Sequence, residues 1–259
     1  MLNLIYWEMY LRNLFGRSKE PEIESLLKLI SRNSVIIDVG ANRGTYTFPI
    51  HRKLRKSGLI YCFEPIPKLY DYLVKGFAKY VNVKIFRQAC SDNQQSTEIK
   101  LPINGDAPSL GSASFVNHFD EFQLIPVECV RIDDLISTKV DFIKIDVEGY
   151  ETFVLRGALK IVTKFKPIIL VELDWNMGNQ YFHDLKLIID KIDYGVLALT
   201  GGRYLNVDLD EFDSRAINFH IDGYRNNFFL VPKVNLDSTK KKLSRRNHLY
   251  FFKKLIMLN

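Results

Sequence analysis

The sequence predicts a doubly wound α/β fold, a mostly parallel sheet of about seven strands with helices on both faces. Three observations predict it. Short apolar runs of strand length alternate with stretches of helical periodicity through most of the chain. Asp38, Glu64, Asp146 and Glu172 each stand at the end of such a run, and right-handed crossovers bring these ends to one edge of the sheet. The first run also opens into a turn with Gly40 and Gly44, where an open α/β sheet binds its ligand.

Taken in order, residues 20–31 carry helical spacing at Ile23, Leu26, Leu27 and Ile30, with acids in the first turn where the helix dipole favours them. Strands follow at Val35–Val39, Leu59–Phe63 and 81–86, with a helix over 68–80. Between about 96 and 130 the rhythm changes to two short strands around INGDAPSLGSASF, which predicts a hairpin insertion over the site. Alternation resumes with a strand over 140–146, a helix over 151–163, the strand IILVEL, a helix over 180–193 and strands at GVLAL and NFFLV. The predicted organisation is an N-terminal helical extension (1–33), one α/β domain (34–235) and a basic amphipathic tail (236–259).

The net charge of +6 does not lie on the domain. Lys240, Lys241, Lys242, Arg245, Arg246, Lys253 and Lys254 contribute +7 without an acid, which leaves the rest of the chain at −1. No nucleic-acid partner is therefore expected. The tail interleaves these cations with Leu243, Leu249, Tyr250, Phe251, Phe252, Leu255 and Ile256, which suits an anionic membrane surface. The same pattern suits a helix docked on the domain or on a second subunit, as in a homodimer. Tyr6, Trp7, Tyr10, Leu11 and Leu14 form another apolar stripe at helical spacing. Cys62, Cys90 and Cys129 lack metal-ligand spacing and read as reduced core thiols. With no signal-peptide pattern and no long apolar span, a cytoplasmic protein is expected, peripheral at most to the inner face of the membrane.

The turn reads Asp38-x-Gly40-x-x-x-Gly44, not the G-x-G-x-x-G spacing of a dinucleotide loop, which disfavours a nicotinamide oxidoreductase. Glu64 follows Gly44 by 20 residues at the end of the second strand, where a carboxylate can accept both hydroxyls of a ribose.

These segments resemble the FkbM family of methyltransferases over residues 35–173. The matching strings are DVGANRGTY, FEPIP, ACSD, GSASF, VRIDDL and DFIKIDVEGYETFVLRGA, of which the last is the most specific. The resemblance implies a class I, Rossmann-like methyltransferase fold, S-adenosylmethionine as cofactor, and O-methylation of a sugar, glycan, glycolipid or related hydroxylated metabolite. It also implies roles for individual residues. Gly40, Gly44 and Asn42 would shape the methionine-binding turn, and Asp38 would orient it. Glu64 would hold the ribose, with Ser91 and Asp92 beside the adenine; Asp92 reads equally well as a plain turn residue.

Methyl transfer to an alcohol needs an acceptor held in line and a group that takes its proton. Lys144, Asp146 and Glu148 alternate at one strand end, and Glu172 ends the next strand. Asp146 is the leading candidate for base or acceptor binding, then Glu148, with Lys144 stabilising a developing alkoxide. An ion pair that merely closes the strand end is the structural alternative. Asp146, Glu148 and Glu172 could together hold a divalent cation, but nothing in the spacing demands one, so no metal is assigned. Ser112 and Ser114 are candidate acceptor contacts on a loop suited to closing over ligands, and His183 reads as a packing residue. A nucleic-acid methyltransferase and a non-catalytic, membrane-associated binding protein on the same fold are the competing readings.

Overall fold

The computed structural model describes residues 4–15, 21–104, 107–173, 177–200, 203–207 and 226–244. Helices α1 (Leu4–Phe15) and α2 (Pro21–Leu29) precede β1 (Val35–Val39), α3 (Thr47–Leu54), β2 (Leu59–Phe63), α4 (Pro67–Phe77) and β3 (Val83–Phe86). The insertion comprises β4 (Ala89–Cys90), β5 (Gln95–Asn104), β6 (Ala107–Pro108) and β7 (Phe122–Val130), followed by a short α5 (Ile132–Leu135). The second half runs through β8 (Phe142–Ile145), α6 (Glu151–Gly157), α7 (Leu159–Phe165), β9 (Ile168–Glu172), α8 (Gly178–Ile192), β10 (Tyr194–Thr200), β11 (Arg203–Val207), β12 (Asn227–Pro232) and α9 (Leu236–Ser244).

The main sheet has the order β11-β10-β12-β9-β8-β1-β2-β3. Strands β9, β8, β1, β2 and β3 pair in parallel, whereas β12 is antiparallel to β9 and β10. The chain leaves β1 toward β2 and returns to β8 on the opposite side, so the carboxyl end of β1 is a topological switch point. Apart from Asp38 in β1, Lys144 in β8 and Glu172 at the end of β9, the central strands are apolar because both faces are covered. Successive residues then serve opposite layers: Ile36, Phe142 and Leu170 pack into one cluster, and Ile37, Ile143 and Val171 into the other. A third cluster, including Ile66, Leu69, Ala89, Ile99 and Cys129, seats the insertion beside the switch point.

The predicted sheet forms, with β11 added as an eighth strand at its edge. The helix expected over 151–163 is two helices broken at Ala158, whose φ of −114° and ψ of 7° leave the helical region. Gly157 explains the close approach there: a Cβ on it would lie 1.9 Å from the Ser91 carbonyl oxygen. The N-terminal stripe is split. Tyr6 packs on Phe48, Phe77 and Tyr80, and Met9 is buried, while Trp7 and Leu11 face outward, 47% and 49% exposed.

The start of the basic tail belongs to the domain. Helix α9 buries Thr239 and Leu243, Lys28 Nζ donates to the Leu243 carbonyl (3.4 Å), and Lys240 Nζ donates to Asn206 Oδ1 (3.0 Å). Arg245, Arg246, Lys253, Lys254 and the apolar residues between them lie outside the described residues, as does the tail's expected membrane or subunit contact. Among the described residues no helix is long and apolar enough to cross a membrane.

Candidate active site

The turn after β1 is pinned to β2 by its backbone. Gly40 and Ala41 both donate N–H bonds to the Phe63 carbonyl, at 3.0 and 3.1 Å. Gly40 has φ +75°, and a Cβ there would lie 1.9 Å from the Asp146 carbonyl oxygen, so the turn crosses the end of β8 where only glycine fits. Gly44 shares that φ, but its Cα faces Leu73 and Met9. It shapes the turn by packing and does not border the cleft beside it.

Asn42, at φ 49°, donates its backbone N–H to Glu64 Oε2 (2.7 Å), and Ile66 N–H binds Oε1 (2.9 Å). The Glu64 carboxyl is thereby fixed in direction while only 3% exposed, and burial pushes its pKa up to about 7 against the pull of these two bonds. Asp38 sits beneath the turn. Its Oδ2 accepts from Thr47 Oγ1 at 2.5 Å, which ties β1 to the start of α3. Burial raises its pKa to about 6, opposed by Thr47 and the Lys144 charge. Asp38 thus braces the turn from below and does not line the cleft.

At the mouth of β8, Lys144 is 1% exposed. Its ammonium stands 3.6 Å from Asp146 Oδ2 and 3.8 Å from Glu172 Oε2, and donates to the Ile145 carbonyl (3.3 Å) and Asn227 Oδ1 (3.5 Å). It also lies 4.9 Å over the Tyr46 ring. The ion-pair alternative is therefore realised, without sealing the carboxylates away: the Asp146 and Glu172 side chains remain 34% and 36% exposed and line the cleft. Lys144 occupies the space between the two acids, and among the described residues no cluster of three metal-ligating side chains is placed to hold a metal ion.

Glu148 and Gly149 take left-handed conformations, φ 51° and 93°, which turn the chain out of the strand and place Glu148 on the cleft. Glu151 stabilises that turn from within. It is 1% exposed and accepts hydrogen bonds from the Gly149 N–H (3.0 Å) and the Tyr181 hydroxyl, while burial raises its pKa. The K-x-D-x-E-G-x-E string thus combines a buried cation, two cleft acids and the carboxylate that locks their turn.

The insertion roofs the cleft as a fastened element. Ser114 is fully buried; its hydroxyl donates to the Glu148 carbonyl (2.7 Å) and accepts from the Val116 and Asn117 N–H groups (3.2 and 3.1 Å). Ser112 lies 3.3 Å from the Ser109 hydroxyl. Neither serine lines the cleft; Leu110, Gly111, Ala113 and Phe115 of the same segment do. Ser91 is also buried, with its hydroxyl 3.3 Å from Asp92, Asn93 and Tyr150, and neither Ser91 nor Asp92 reaches the cleft. The cleft wall there is Gln88, Ala89 and Cys90. His183 is exposed on α8, away from these groups.

The resulting cleft is open to solvent, with about 840 Å³ of empty space when its mouth is included. One end is acidic, with Asp146, Glu148 and Glu172 beside Asn42. The other is apolar, with Ile66, Leu69, Ala89, Ile99 and Phe115, and Glu64 stands where the two meet. Sequence reasoning missed Gln88, Tyr150, Phe115 and Asn227. Phe115 and Tyr150 fall inside the strings that carry the family resemblance, but only folding brings their rings to 4.7 Å from each other.

Known proteins resemble this chain in fold and in sequence. A solved structure, the methyltransferase FkbM from Methylobacillus flagellatus KT, aligns with TM-score 0.50 and 16% identity over 78% of this chain and 44% of that one, a likeness of fold. The 2-O-methyltransferase NoeI of Sinorhizobium fredii (strain NBRC 101917 / NGR234) is 30% identical over 163 residues, 57% of this chain. The match spans 65% of that relative's own length, just under two thirds. The family model described as the methyltransferase FkbM domain matches residues 38–196, from the Asp38 turn into β10. With that match covering more than half of its length, the chain belongs to the FkbM family of methyltransferases.

Proposed function

We propose that the chain transfers a methyl group from S-adenosylmethionine to a hydroxyl of a sugar, glycan, glycolipid or related metabolite. The observation that carries the reading is one cleft holding a fixed ribose-type carboxylate, Glu64, and a mouth of three acids, Asp146, Glu148 and Glu172. The residues fit the cofactor. Each Glu64 oxygen takes one backbone N–H and keeps acceptor capacity for a ribose hydroxyl, the acidic end suits a sulfonium cation, and the apolar end suits a purine. The name of the NoeI relative, a 2-O-methyltransferase, supports an oxygen acceptor.

When bound, S-adenosylmethionine would supply an electrophilic methyl group, whose attack by the acceptor oxygen would form the C–O bond as the C–S bond breaks and the electron pair stays on the departing sulfur. The chain supplies position and a proton acceptor. Asp146 takes the hydroxyl proton on its cleft-facing carboxylate, with Glu148 binding a neighbouring acceptor hydroxyl. Lys144, locked below, acts on Asp146 by its charge and orients it together with Glu172. The buried ammonium does not meet the acceptor.

Calorimetry with S-adenosylmethionine tests the cofactor, and methyl incorporation into hydroxylated glycans tests the reaction. Micromolar binding that collapses in Glu64→Ala, with incorporation falling about 100-fold or more in Asp146→Asn, is expected. Wild-type protein that binds no S-adenosylmethionine refutes the proposal.

A further inference from the structure

The near-neutral total charge of the domain hides a concentration of cations on one layer. Between Ala41 and Asn82 the chain carries eight lysines and arginines against two acids, Glu64 and Asp71, and Glu64 is buried at the cleft. This stretch holds α3 and α4, which pack with α1 into one apolar cluster against the main sheet. Glu8 and Arg12 of α1 offset each other, so that side of the molecule is basic.

Helix α1 divides its apolar residues between the domain and solvent. Ile5, Tyr6, Met9 and Tyr10 pack inward, whereas Leu4, Trp7 and Leu11, at i, i+3 and i+7, form an exposed row about 10 Å long. Cations border this row. Arg52 of α3 stands 5.0 Å over the Tyr10 ring, and the Trp7 ring packs edge-on against the same ring at 5.3 Å. Lys79 precedes Tyr80, whose ring lies 5.0 Å from that of Tyr6. At the other end of the helix Arg12 donates to the carbonyl of the exposed Arg43 (3.4 Å).

An anionic bilayer matches both parts of this surface: aromatic and aliphatic side chains enter the acyl boundary while lysine and arginine meet lipid phosphates. A nucleic-acid backbone would engage the cations and leave the apolar row without a partner. Helix α9 packs into the same cluster through Leu236 and Leu243, and the sequence continues from it into residues 245–259, with further cations and aromatic side chains.

We infer that the outer face of α1, with the cations of α3 and α4 beside it, docks on an anionic lipid surface. The face adjoins the cleft, because the exposed Arg43 follows Asn42, which lines the cleft. Docking there narrows the proposed acceptors to a lipid-linked glycan. That narrowing rests on the O-methylation reading above, whereas lipid binding itself does not.

The test uses the full chain carrying Trp175→Phe, which leaves Trp7 as its one tryptophan, and vesicles of phosphatidylcholine with or without phosphatidylglycerol. Trp7 emission should shift to shorter wavelength with the phosphatidylglycerol vesicles and stay unchanged with phosphatidylcholine alone, and high salt should reduce the shift. Leu4→Ser with Leu11→Ser should weaken co-sedimentation with the anionic vesicles about tenfold, and Arg52→Gln with Lys79→Gln by about as much. Unfolding temperature and S-adenosylhomocysteine titration check that these outward substitutions leave the fold and the cleft intact. Sedimentation without a Trp7 shift would assign the lipid contact to another part of the chain and overturn the inference, as would anionic vesicles that bind no protein. A Trp7 shift on concentrating the protein without lipid would put a second copy on this face, and a shift with RNA but not with vesicles would put a nucleic acid there; either result overturns the inference. Failure to bind S-adenosylhomocysteine strikes the cofactor reading and leaves the lipid result standing.

Discussion

Replacing Gly40 by alanine should destabilise the fold and abolish ligand binding together, and the structure sets the size of the effect. At φ +75° the added methyl group places an L-residue in a disfavoured region, at about 1–2 kcal/mol. The same methyl would stand 1.9 Å from the Asp146 carbonyl oxygen, where real Cβ contacts are not found under 3.0 Å. The turn or the end of β8 must therefore move by about 1 Å, and such overpacking adds about 1–3 kcal/mol. Neither strand can yield freely, because the Gly40 and Ala41 N–H groups are bound to the Phe63 carbonyl and the Asp146 N–H to the Val39 carbonyl. A combined loss of about 2–5 kcal/mol lowers the melting temperature by roughly 5–15 °C in a protein of this size. Gly44→Ala supplies the control. It has the same φ, but its methyl would meet Leu73 and Met9 side-chain atoms at 3.3–3.6 Å, which can adjust, so only the conformational cost of about 1–2 kcal/mol is expected. Thermal unfolding and S-adenosylhomocysteine titration of both variants decide the matter. Equal melting temperatures for the two variants would refute the argument that the crossing of β8 is what demands glycine at position 40.

Glu64 should confer a pH dependence with a definite sign. Its folded-state pKa of about 7 exceeds the ordinary 4.5, so the native state binds the proton more tightly and stability falls as pH rises from about 4.5 to about 7, by up to about 3 kcal/mol. Urea unfolding at pH 5 and pH 8 should show Glu64→Gln with a shallower fall than wild type; parallel curves would contradict this. Ribose hydroxyls donate to the ionised form, so S-adenosylhomocysteine should bind more tightly as pH rises through 7 in wild type and not in Glu64→Gln. Ser114→Ala removes a buried hydroxyl that serves three backbone groups and should cost about 1–3 kcal/mol, read as a lower melting temperature. A role as acceptor contact alone predicts a raised KM at unchanged stability instead. Tyr181→Phe leaves the buried Glu151 carboxyl with one partner fewer and should cost about 1–2 kcal/mol by chemical denaturation, against no change if that bond is idle.

Sequence patterns reveal local and periodic features, and these were legible here. The apolar runs of the seven predicted strands appear where expected because strands covered on both faces need continuous hydrophobicity, the five that pair in parallel and the antiparallel β10 and β12 alike. Gly40 and Glu64 were legible for a similar reason: a turn at a strand end and a carboxylate 20 residues beyond Gly44 have spacings set by the chain itself. The broken helix after Gly149 was not legible, since the Ser91 carbonyl that approaches Gly157 beside the break comes from another part of the chain.

The sequence by itself determined the α/β class, the sheet edge along which the acidic strand ends gather and the identity of those acids. It could not tell which polar groups at that edge face a ligand and which hold the walls. Tertiary packing made that division. It turned Asp38 down onto Thr47, spent the Ser114 hydroxyl on the Glu148 turn, buried Ser91 behind Cys90 and left Asp146, Glu172 and Gln88 bordering the cleft. The physical reason is that a hydrogen-bonding side chain near a buried turn is first claimed by the buried polar groups within reach, a side-chain hydroxyl for Asp38 and a backbone carbonyl for Ser114, and which groups lie within reach depends on contacts across 9 to 34 residues of chain.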